Sequence, residues 1–271
     1  MKSILVVVEN EVSVKPMLVK SMMFSPENIQ VVILGNSDVA RVQATLDEVT
    51  DKQCKTEIIT NANSLSLPVP KAVSKIVDQI NPDMVVIHRP QIGSVKQEYS
   101  LVKAVLQSTS HSTVLLCGDN KWKSKMKLLA TLDMVDESSF QKLLNSKVKN
   151  VAFEVSKKIQ AELAFLSIVE VSRVREELDI AIDYQFMEKD VKAVKAKLMH
   201  MINTDENPTV FPTHVSIGVP SKEITSVSQK LKSNLVVMGN VGRTGIKGLI
   251  VGNTAEKILD RLAVDALIVK T

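Results

Sequence analysis

Short apolar runs alternate with amphipathic segments along the chain. Over residues 1–120, runs of two to five apolar residues are separated by stretches in which apolar residues recur at helical spacing. This alternation predicts βαβ units, in which helices cover both faces of a parallel sheet. The predicted strands are Ile4–Val8, Val31–Leu34, Glu57–Thr60, Met84–His88 and Thr113–Cys117, and the predicted helices lie near Lys15–Phe24, Asp38–Val49, Lys71–Ile80 and Glu98–Ser108.

The pattern begins again after residue 120. Leu128–Leu132 resembles Ile4–Val8, and an acidic residue follows each run, Asp133 in the later copy and Glu9 in the earlier one. Internal repetition at this period indicates two domains. We place the boundary near Gly118, which gives a first domain over 1–120 and a second over 121–271.

The offset between the two copies changes along the chain. It is 124 residues at the first strand, 151 at the fourth (Met84 to Leu235) and 153 at the fifth (Val114 to Leu267). The jump indicates an insertion in the second copy, and the charged segment Val171–Asn207 is interpreted as this helical insertion.

Glycine is concentrated in one place. Of the nine glycines, five fall within the 14 residues Gly239–Gly252. This stretch follows a predicted strand, Leu235–Met238, and precedes a predicted helix, Asn253–Leu262. Glycines allow sharp turns that bring backbone N–H groups close to an anion, and a helix N-terminus adds a partial positive charge. The segment therefore predicts an anion site, of the kind that binds phosphate.

Two familiar phosphate motifs do not fit this stretch. A Walker A loop needs Ser or Thr after Gly-Lys, and the run Lys247–Leu249 has neither. The dinucleotide fingerprint follows the first strand of its unit, whereas these glycines follow the fourth. The spacing that is present is Gly-x2-Gly-x9-Gly at Gly239, Gly242 and Gly252, followed by the small polar pair Asn253-Thr254.

This spacing and the closing strand Ala266–Lys270 resemble the nucleotide-binding domain of the universal stress protein family. The runs Gly242–Ile246 and Gly252–Glu256 resemble its bacterial E-type tandem members. The resemblance covers essentially the whole chain, strongly over 213–271 and weakly over 1–120. It implies an α/β fold of two flavodoxin-like (adenine nucleotide alpha hydrolase-like), doubly wound parallel-sheet domains in tandem. It also implies ATP or a related adenine nucleotide across the carboxyl ends of the second domain's strands, with bound Mg left open.

The resemblance assigns roles by position in the second domain. Asp133 would lie beside the nucleotide, with a turn cap before the next helix as the alternative. Asn253 departs from the Ser of many family members, which puts the phosphate geometry in doubt. The implied ligand contacts are Thr131 and Leu132 (backbone to the base), Val171 (base packing), Met238 and Gly239 (adenine and ribose), and Gly242, Gly252, Asn253 and Thr254 (phosphates), with Arg243 either facing phosphate or solvated.

The first copy has lost the glycine cluster. His88, Gln91 and Tyr99 stand roughly where the second copy has its three motif glycines, and Arg89-Pro90 removes a backbone donor. We therefore expect the first domain not to bind ATP in the family manner. It is either structural or a site for another ligand, and a structural role is favoured for His88.

Composition and charge exclude several other classes. Aromatic residues make up 3% of the chain and the net charge is +4, too little of either for an RNA-stacking or DNA-binding surface. Lys121–Lys125 is interpreted as a solvated linker, with a nucleic-acid patch as the alternative. Cys54, Cys117 and the four histidines match no metal spacing, so no metal site is expected. Without a signal peptide or an apolar stretch near 20 residues, we expect a soluble cytoplasmic protein with no membrane partner.

Three functions remain open from the sequence. The first is a nucleotide-binding stress-response protein without efficient catalysis, since no nucleophile constellation predicts catalytic residues. The alternatives are a scaffold for a larger nucleotide-linked or apolar ligand and a slow ATPase. The fifth strands of the two copies are expected at sheet edges, where they would pair within the chain as a pseudo-dimer. A homodimer of the whole chain is left open.

Overall fold

The computed structural model contains one ten-stranded sheet with helices on both faces. It describes residues 1–34, 37–60, 68–89, 99–108, 112–171, 184–203, 210–240, 258 and 261–270. Along the sheet the strands lie in the order β3-β2-β1-β4-β5-β10-β9-β6-β7-β8. No helix among the described residues is both long enough and apolar enough to cross a membrane.

The strands have the short lengths typical of a doubly wound sheet. They are β1 (Ser3–Val8), β2 (Asn28–Ile33), β3 (Lys55–Ile59), β4 (Met84–His88), β5 (Thr113–Cys117), β6 (Lys127–Thr131), β7 (Glu162–Glu170), β8 (Thr213–Gly218), β9 (Leu235–Gly239) and β10 (Asp265–Val269).

Seven α-helices are found among the described residues. They are α1 (Val14–Met22), α2 (Val39–Val49), α3 (Val69–Ile80), α4 (Tyr99–Ser108), α5 (Ser139–Lys158), α6 (Tyr184–Ile202) and α7 (Pro220–Lys230), and a 3-10 turn, Glu11–Ser13, leads into α1.

The strand and helix predictions are largely confirmed. The bounds of β4 and β5 agree with the predicted ones, and α2 begins after Asp38, whose side chain accepts the N–H groups of Ala40 and Arg41. Strand β2 begins earlier than predicted, because Asn28 continues the parallel ladder opposite Ser3. The predicted helix within Val171–Asn207 is confirmed where the structure describes it, as α6, but α6 takes the place that α2 has in the first half and is therefore not an inserted element.

The sheet consists of two halves with the same strand order. Each half has five parallel strands, β3-β2-β1-β4-β5 and β8-β7-β6-β9-β10, and the predicted fold class is confirmed. The two fifth strands pair antiparallel, as expected from their position at the edges. Because this central pair is antiparallel, the carboxyl ends of the strands face one edge of the sheet in one half and the opposite edge in the other.

The register of the fifth strands corrects the sequence alignment. Val114 lies opposite Val85 in the first half, and Ala266 lies opposite Val236 in the second, so the offset is 152 and not 153. Under this alignment Leu115 is equivalent to Leu267, and these two residues pair with each other. A pseudo-two-fold axis therefore passes through the pair, the geometry of an isologous dimer interface within one chain.

A buried ion pair lies beside this axis. Lys20 Nζ of α1 is 2.7 Å from Asp265 Oδ2 at the start of β10, and their side chains are 2% and 0% exposed. Asp265 also accepts the N–H of Gly118 at 2.8 Å and the indole N–H of Trp122 at 2.6 Å. The Trp122 ring packs edge-on against Phe24, so it is a junction residue and not part of a solvated linker or an exposed stacking surface.

A second lysine, Lys270, links the two halves. Lys270, just after β10, is buried and donates to the carbonyl of Leu106 in the last turn of α4. Helices leave their last carbonyls without intrahelical partners, so a lysine there satisfies an acceptor and complements the helix dipole. Burial lowers the pKa of Lys270 to about 7.

Breaking the buried ion pair should destabilise the whole chain. Lys20→Met leaves the carboxylate of Asp265 buried and unpaired, so we expect a loss of about 3–5 kcal/mol in the free energy of unfolding, measured with urea. Lys15→Met is the matched control, because Lys15 on the same helix pairs with Glu48 in solvent, and such pairs contribute about 1 kcal/mol or less. Adding Asp265→Asn to Lys20→Met should recover part of the loss. Equal losses of unfolding free energy in Lys20→Met and Lys15→Met would contradict a stabilising role of the buried pair.

Stability should also depend on pH through Lys270. Between the folded pKa of about 7 and the ordinary lysine pKa of 10.5, only the unfolded chain holds the proton, so stability rises with pH across this window. The expected slope is on the order of 1 kcal/mol per pH unit from this group. Urea unfolding of the wild type and of Lys270→Met from pH 6.5 to 10 measures it. Parallel curves for the two proteins would refute the assignment.

Candidate functional site

The carboxyl ends of β6, β7, β8 and β9 share one edge of the sheet, because these strands are parallel. Predicted site residues from three separate segments meet at this edge. They are Thr131, Leu132, Asp133, Val171, Met238 and Gly239. The predicted phosphate residues Gly242, Arg243, Gly252, Asn253 and Thr254 lie outside the described residues, as does Lys247.

Strand order reverses at this edge. From β6 the chain continues to β7 on one side, whereas β9 lies on the other side. Asp133 follows β6 and Gly239 ends β9, so the two residues flank the switch point. In open α/β sheets a crevice forms at such a point, outside the carboxyl ends of the strands.

The two carboxylate oxygens of Asp133 differ in their hydrogen bonds. Oδ1 accepts the backbone N–H groups of Val135 at 2.9 Å and Asp136 at 3.1 Å, so the predicted turn cap is confirmed for this atom. The residue is exposed, and Oδ2 has no hydrogen bond or ion pair within the described part of the chain. An exposed carboxylate oxygen is a strong acceptor for hydroxyl or amino groups of a ligand.

Helix α5 holds this loop in place. Asn145 Oδ1 accepts the N–H of Asp133 at 3.1 Å, and Asn145 Nδ2 donates to the carbonyl of Asp133 at 2.6 Å. Gln141 Nε2 donates to Asn145 Oδ1 at 2.9 Å, which orients the amide. Both side chains are buried. Sequence reasoning missed this clamp, although two amides four residues apart on the apolar face of a helix were a readable signal.

The backbone N–H groups on either side of Asp133 donate hydrogen bonds within the fold. The N–H of Leu132 donates to the carbonyl of Leu166 at 2.9 Å, and the N–H of Met134 donates to Ser167 Oγ at 3.3 Å. The predicted backbone contact from Leu132 to a base is therefore limited to its carbonyl. The side chains of Leu132, Val171 and Met238 are buried in the protein, so they offer little surface for packing against a ligand.

Gly239 is a glycine for a packing reason. A Cβ at this position would lie 2.8 Å from Cγ and Cδ2 of Leu144, closer than real Cβ contacts allow. Helix α5 therefore approaches β9 too closely for a side chain at residue 239. The first glycine of the predicted motif is needed by the fold whether or not a ligand lies above it.

The loop after β6 carries a concentration of negative charge. Hydrogen bonds from Ser138 hold the pKa of Asp136 below its usual range, and Lys197 of α6 lowers that of Glu137. Because Glu137 is paired with Lys197, the negative charge that would repel phosphate lies mainly on Asp133 and Asp136.

The corresponding edge of the first half is arranged differently. His88 Nε2 lies 3.0 Å from Asp119 Oδ1, in line with the favoured structural role. By strand register Glu9 corresponds to Asp133, but the turn is capped one residue later, where Asn10 Oδ1 accepts the N–H of Val12. Gln91 lies outside the described residues.

The described residues hold no group of three His, Cys, Asp or Glu side chains suited to a metal ion. Cys54 and Cys117 are both buried free thiols, and burial raises the pKa of each. The described part of the site can accept hydrogen bonds through Asp133.

Comparison with known proteins identifies relatives. The Universal stress protein family model matches residues 146–270. Universal stress protein E of Escherichia coli strain K12 is 27% identical over 165 residues, 59% of this chain and 51% of that protein. The Universal stress protein E homolog of Haemophilus influenzae is 24% identical over 243 residues, which cover 84% of this chain and 74% of the homolog. The chain thus spans about half the length of the Escherichia coli relative.

Solved structures agree on the fold. A functionally unknown protein from Pseudomonas aeruginosa PAO1 superimposes with a TM-score of 0.66 at 18% identity, covering 100% of this chain and 92% of that one. A universal stress protein from Archaeoglobus fulgidus has a TM-score of 0.60 at 15% identity, covering 99% and 96%. Residues 146–270 of the chain thus match the universal stress protein family, and the curated relatives cited above are E-type members of that family.

Proposed function

We propose that the chain binds ATP or a related adenine nucleotide at the carboxyl edge of the second half. The observation that carries the proposal is Asp133, whose exposed side chain lies at the switch point on a loop that α5 holds through Asn145. A carboxylate in this position accepts hydrogen bonds from ribose hydroxyls or from the amino group of adenine. Rigid placement lowers the entropy cost of binding.

Charge supports one orientation of the nucleotide. The acidic loop Asp133–Glu137 favours the neutral, donor-rich end of the molecule and repels the phosphates. On the other side of the switch point, the glycine segment and the helix predicted from Asn253 would provide backbone donors for phosphate. Mg would enter with the phosphates, because it binds mainly through substrate oxygens and water at such sites.

The proposed role is binding and not efficient turnover. The E-type relatives are named as stress proteins, and we assign this chain to the stress response on that ground. The sequence offers no nucleophile constellation and no Gly-x-Ser-x-Gly elbow. In this proposal the nucleotide-bound state is the signal.

ATP binding should require Oδ2 of Asp133, the carboxylate oxygen that does not cap the turn. Asp133→Asn keeps an acceptor for the turn but replaces Oδ2 with a donor, so we expect ATP affinity to fall roughly tenfold. Asp136→Asn is the matched control, with the same change in the same loop, and should alter affinity less than twofold. Isothermal titration calorimetry with ATP and Mg measures both variants.

Native mass spectrometry of freshly purified protein tests the ligand itself. A bound mass of ATP or ADP supports the proposal, and a larger apolar ligand would replace it with the scaffold alternative. Gly242→Val should abolish phosphate binding. Unchanged ATP affinity in that variant would mean that the phosphate site is wrong.

Gly239 should behave as a packing residue. Gly239→Ala introduces a Cβ against Leu144, and we expect a loss of about 1–3 kcal/mol in stability. Leu144→Ala removes the opposing methyl groups, so the double variant should be more stable than the sum of the two single changes predicts. Urea unfolding of the four proteins measures the coupling. Strict additivity would show that the contact does not explain this glycine.

A further inference from the structure

A cleft lies at the carboxyl edge of the first half, between the turn that follows β1 and helix α2, which follows β2. Its volume is about 270 Å³. This is slightly below the range of about 300–1,000 Å³ for pockets that hold drug-sized molecules, so the cleft favours a small metabolite over a nucleotide. The residues that line it are Glu11, Val12, Val14, Arg41, Val42 and Thr45.

Half of the lining is aliphatic. Val14 at the start of α1 and Val42 of α2 are buried, so they form the inner surface of the cleft. Val12 is 80% exposed and lies at its outer side. A ligand with an aliphatic group would cover the methyl groups of Val12, and removing this apolar surface from water favours binding.

A loosely held guanidinium lies in the same cleft. Arg41 Nη1 is 3.4 Å from Glu11 Oε2, and Arg41 Nε is 3.6 Å from Asp38 Oδ2. Both distances exceed the roughly 2.7–2.9 Å of a strong charge-assisted hydrogen bond. The Arg41 side chain is 76% exposed, and its Nη2 has no acceptor among the described residues. It can therefore donate to a carboxylate, which a guanidinium binds through two parallel hydrogen bonds.

Two carboxylates face this single guanidinium. Glu11 Oε1 accepts the backbone N–H of Asp38 at 2.6 Å, and Asp38 Oδ1 accepts the N–H of Ala40 at 2.9 Å. Each acid is thus held in place by one oxygen, and its other oxygen lies nearest to Arg41. The excess negative charge attracts an ammonium group to Oε2 of Glu11.

Thr45 adds a neutral acceptor to the lining. Its hydroxyl donates to the carbonyl of Arg41, one turn earlier in α2, at 2.9 Å. The donor of the hydroxyl is therefore used within the helix, and its oxygen retains lone pairs for an N–H group of a ligand. The cleft thus combines a donor for a carboxylate, acceptors for an ammonium group and an aliphatic surface.

We propose that this cleft binds a free α-amino acid with an aliphatic side chain. The carboxylate of the ligand pairs with Arg41, and its ammonium group pairs with Glu11. Its side chain packs against Val12, Val14 and Val42. A zwitterion has its two charges close together, as the cleft has in Arg41 and Glu11. The inference does not rest on the proposed nucleotide site, which belongs to the other half and to the opposite edge of the sheet.

The test titrates L-leucine into the full-length chain with methyl-labelled valine, followed by NMR. We expect saturable shifts of the methyl signals of Val12, Val14 and Val42, with a Kd of about 1 mM or lower for so small a ligand. Isocaproate lacks the ammonium group and isoamylamine lacks the carboxylate, so each should bind roughly tenfold more weakly than leucine.

Two variants test the charged contacts separately. Arg41→Gln and Glu11→Gln should each weaken leucine binding about tenfold, and Glu11→Gln retains Oε1 as the acceptor for Asp38. In Arg41→Gln, leucine and isoamylamine should bind with similar affinity, because the carboxylate has lost its partner. Lys15→Gln is the matched control, since Lys15 pairs with Glu48 between the same two helices outside the lining, and should change the affinity less than twofold.

Several outcomes would overturn the proposal. No saturation by leucine at roughly ten times the expected Kd would refute the site. Shifts confined to valines outside the cleft would place the ligand elsewhere. Equal binding of isocaproate and leucine by the wild type would refute the ammonium contact, and equal binding of isoamylamine would refute the carboxylate contact. Urea unfolding of each variant shows whether it keeps the wild-type fold, and a loss of affinity in Lys15→Gln equal to that in Arg41→Gln would refute the specific pairing.

Discussion

The ion pair between Lys20 and Asp265 is the contact on which the joint between the two halves depends. Two fully buried charges are expensive to remove from water, and their mutual attraction compensates only when every remaining lone pair is satisfied. Asp265 meets this condition through Gly118 and Trp122. The network tolerates one register of β5 against β10, because a slip of one residue would move Asp265 to the other face of the sheet. We therefore expect the network to fix the register of β5 against β10 more than to raise the net stability of the fold.

That joint determines where a ligand can bind. The antiparallel central pair turns the carboxyl edges of the two halves to opposite edges of the sheet. Each half thus has its own candidate crevice, and the two share no residues. In the first half, His88 at this edge contacts Asp119, and Arg89 donates to the carbonyl of Leu262. At this edge of the first half, the described side chains thus make contacts within the fold and between the halves.

Helix α5 contacts both sides of the switch point in the second half. Its Leu144 requires glycine at residue 239, and its Asn145 fixes the backbone of Asp133. One helix therefore sets the distance between the two sides of the switch point. This arrangement links the packing of the core to the geometry of the crevice, since a shift of α5 would move β9 and the acidic loop together.

Local sequence patterns determined much of this protein. The apolar runs identified β1, β4, β5 and β9, the repeat indicated two halves, and the glycine segment with Asp133 marked one edge of one half, because these features depend on residues close in the chain. Only the tertiary structure decided which distant groups meet. Lys20 with Asp265, Arg89 with Leu262, and Asn145 with Asp133 are pairs between separate elements, and no periodicity encodes them. The same reason explains Gly239, whose missing side chain is required by a neighbour on α5 and not by its own turn.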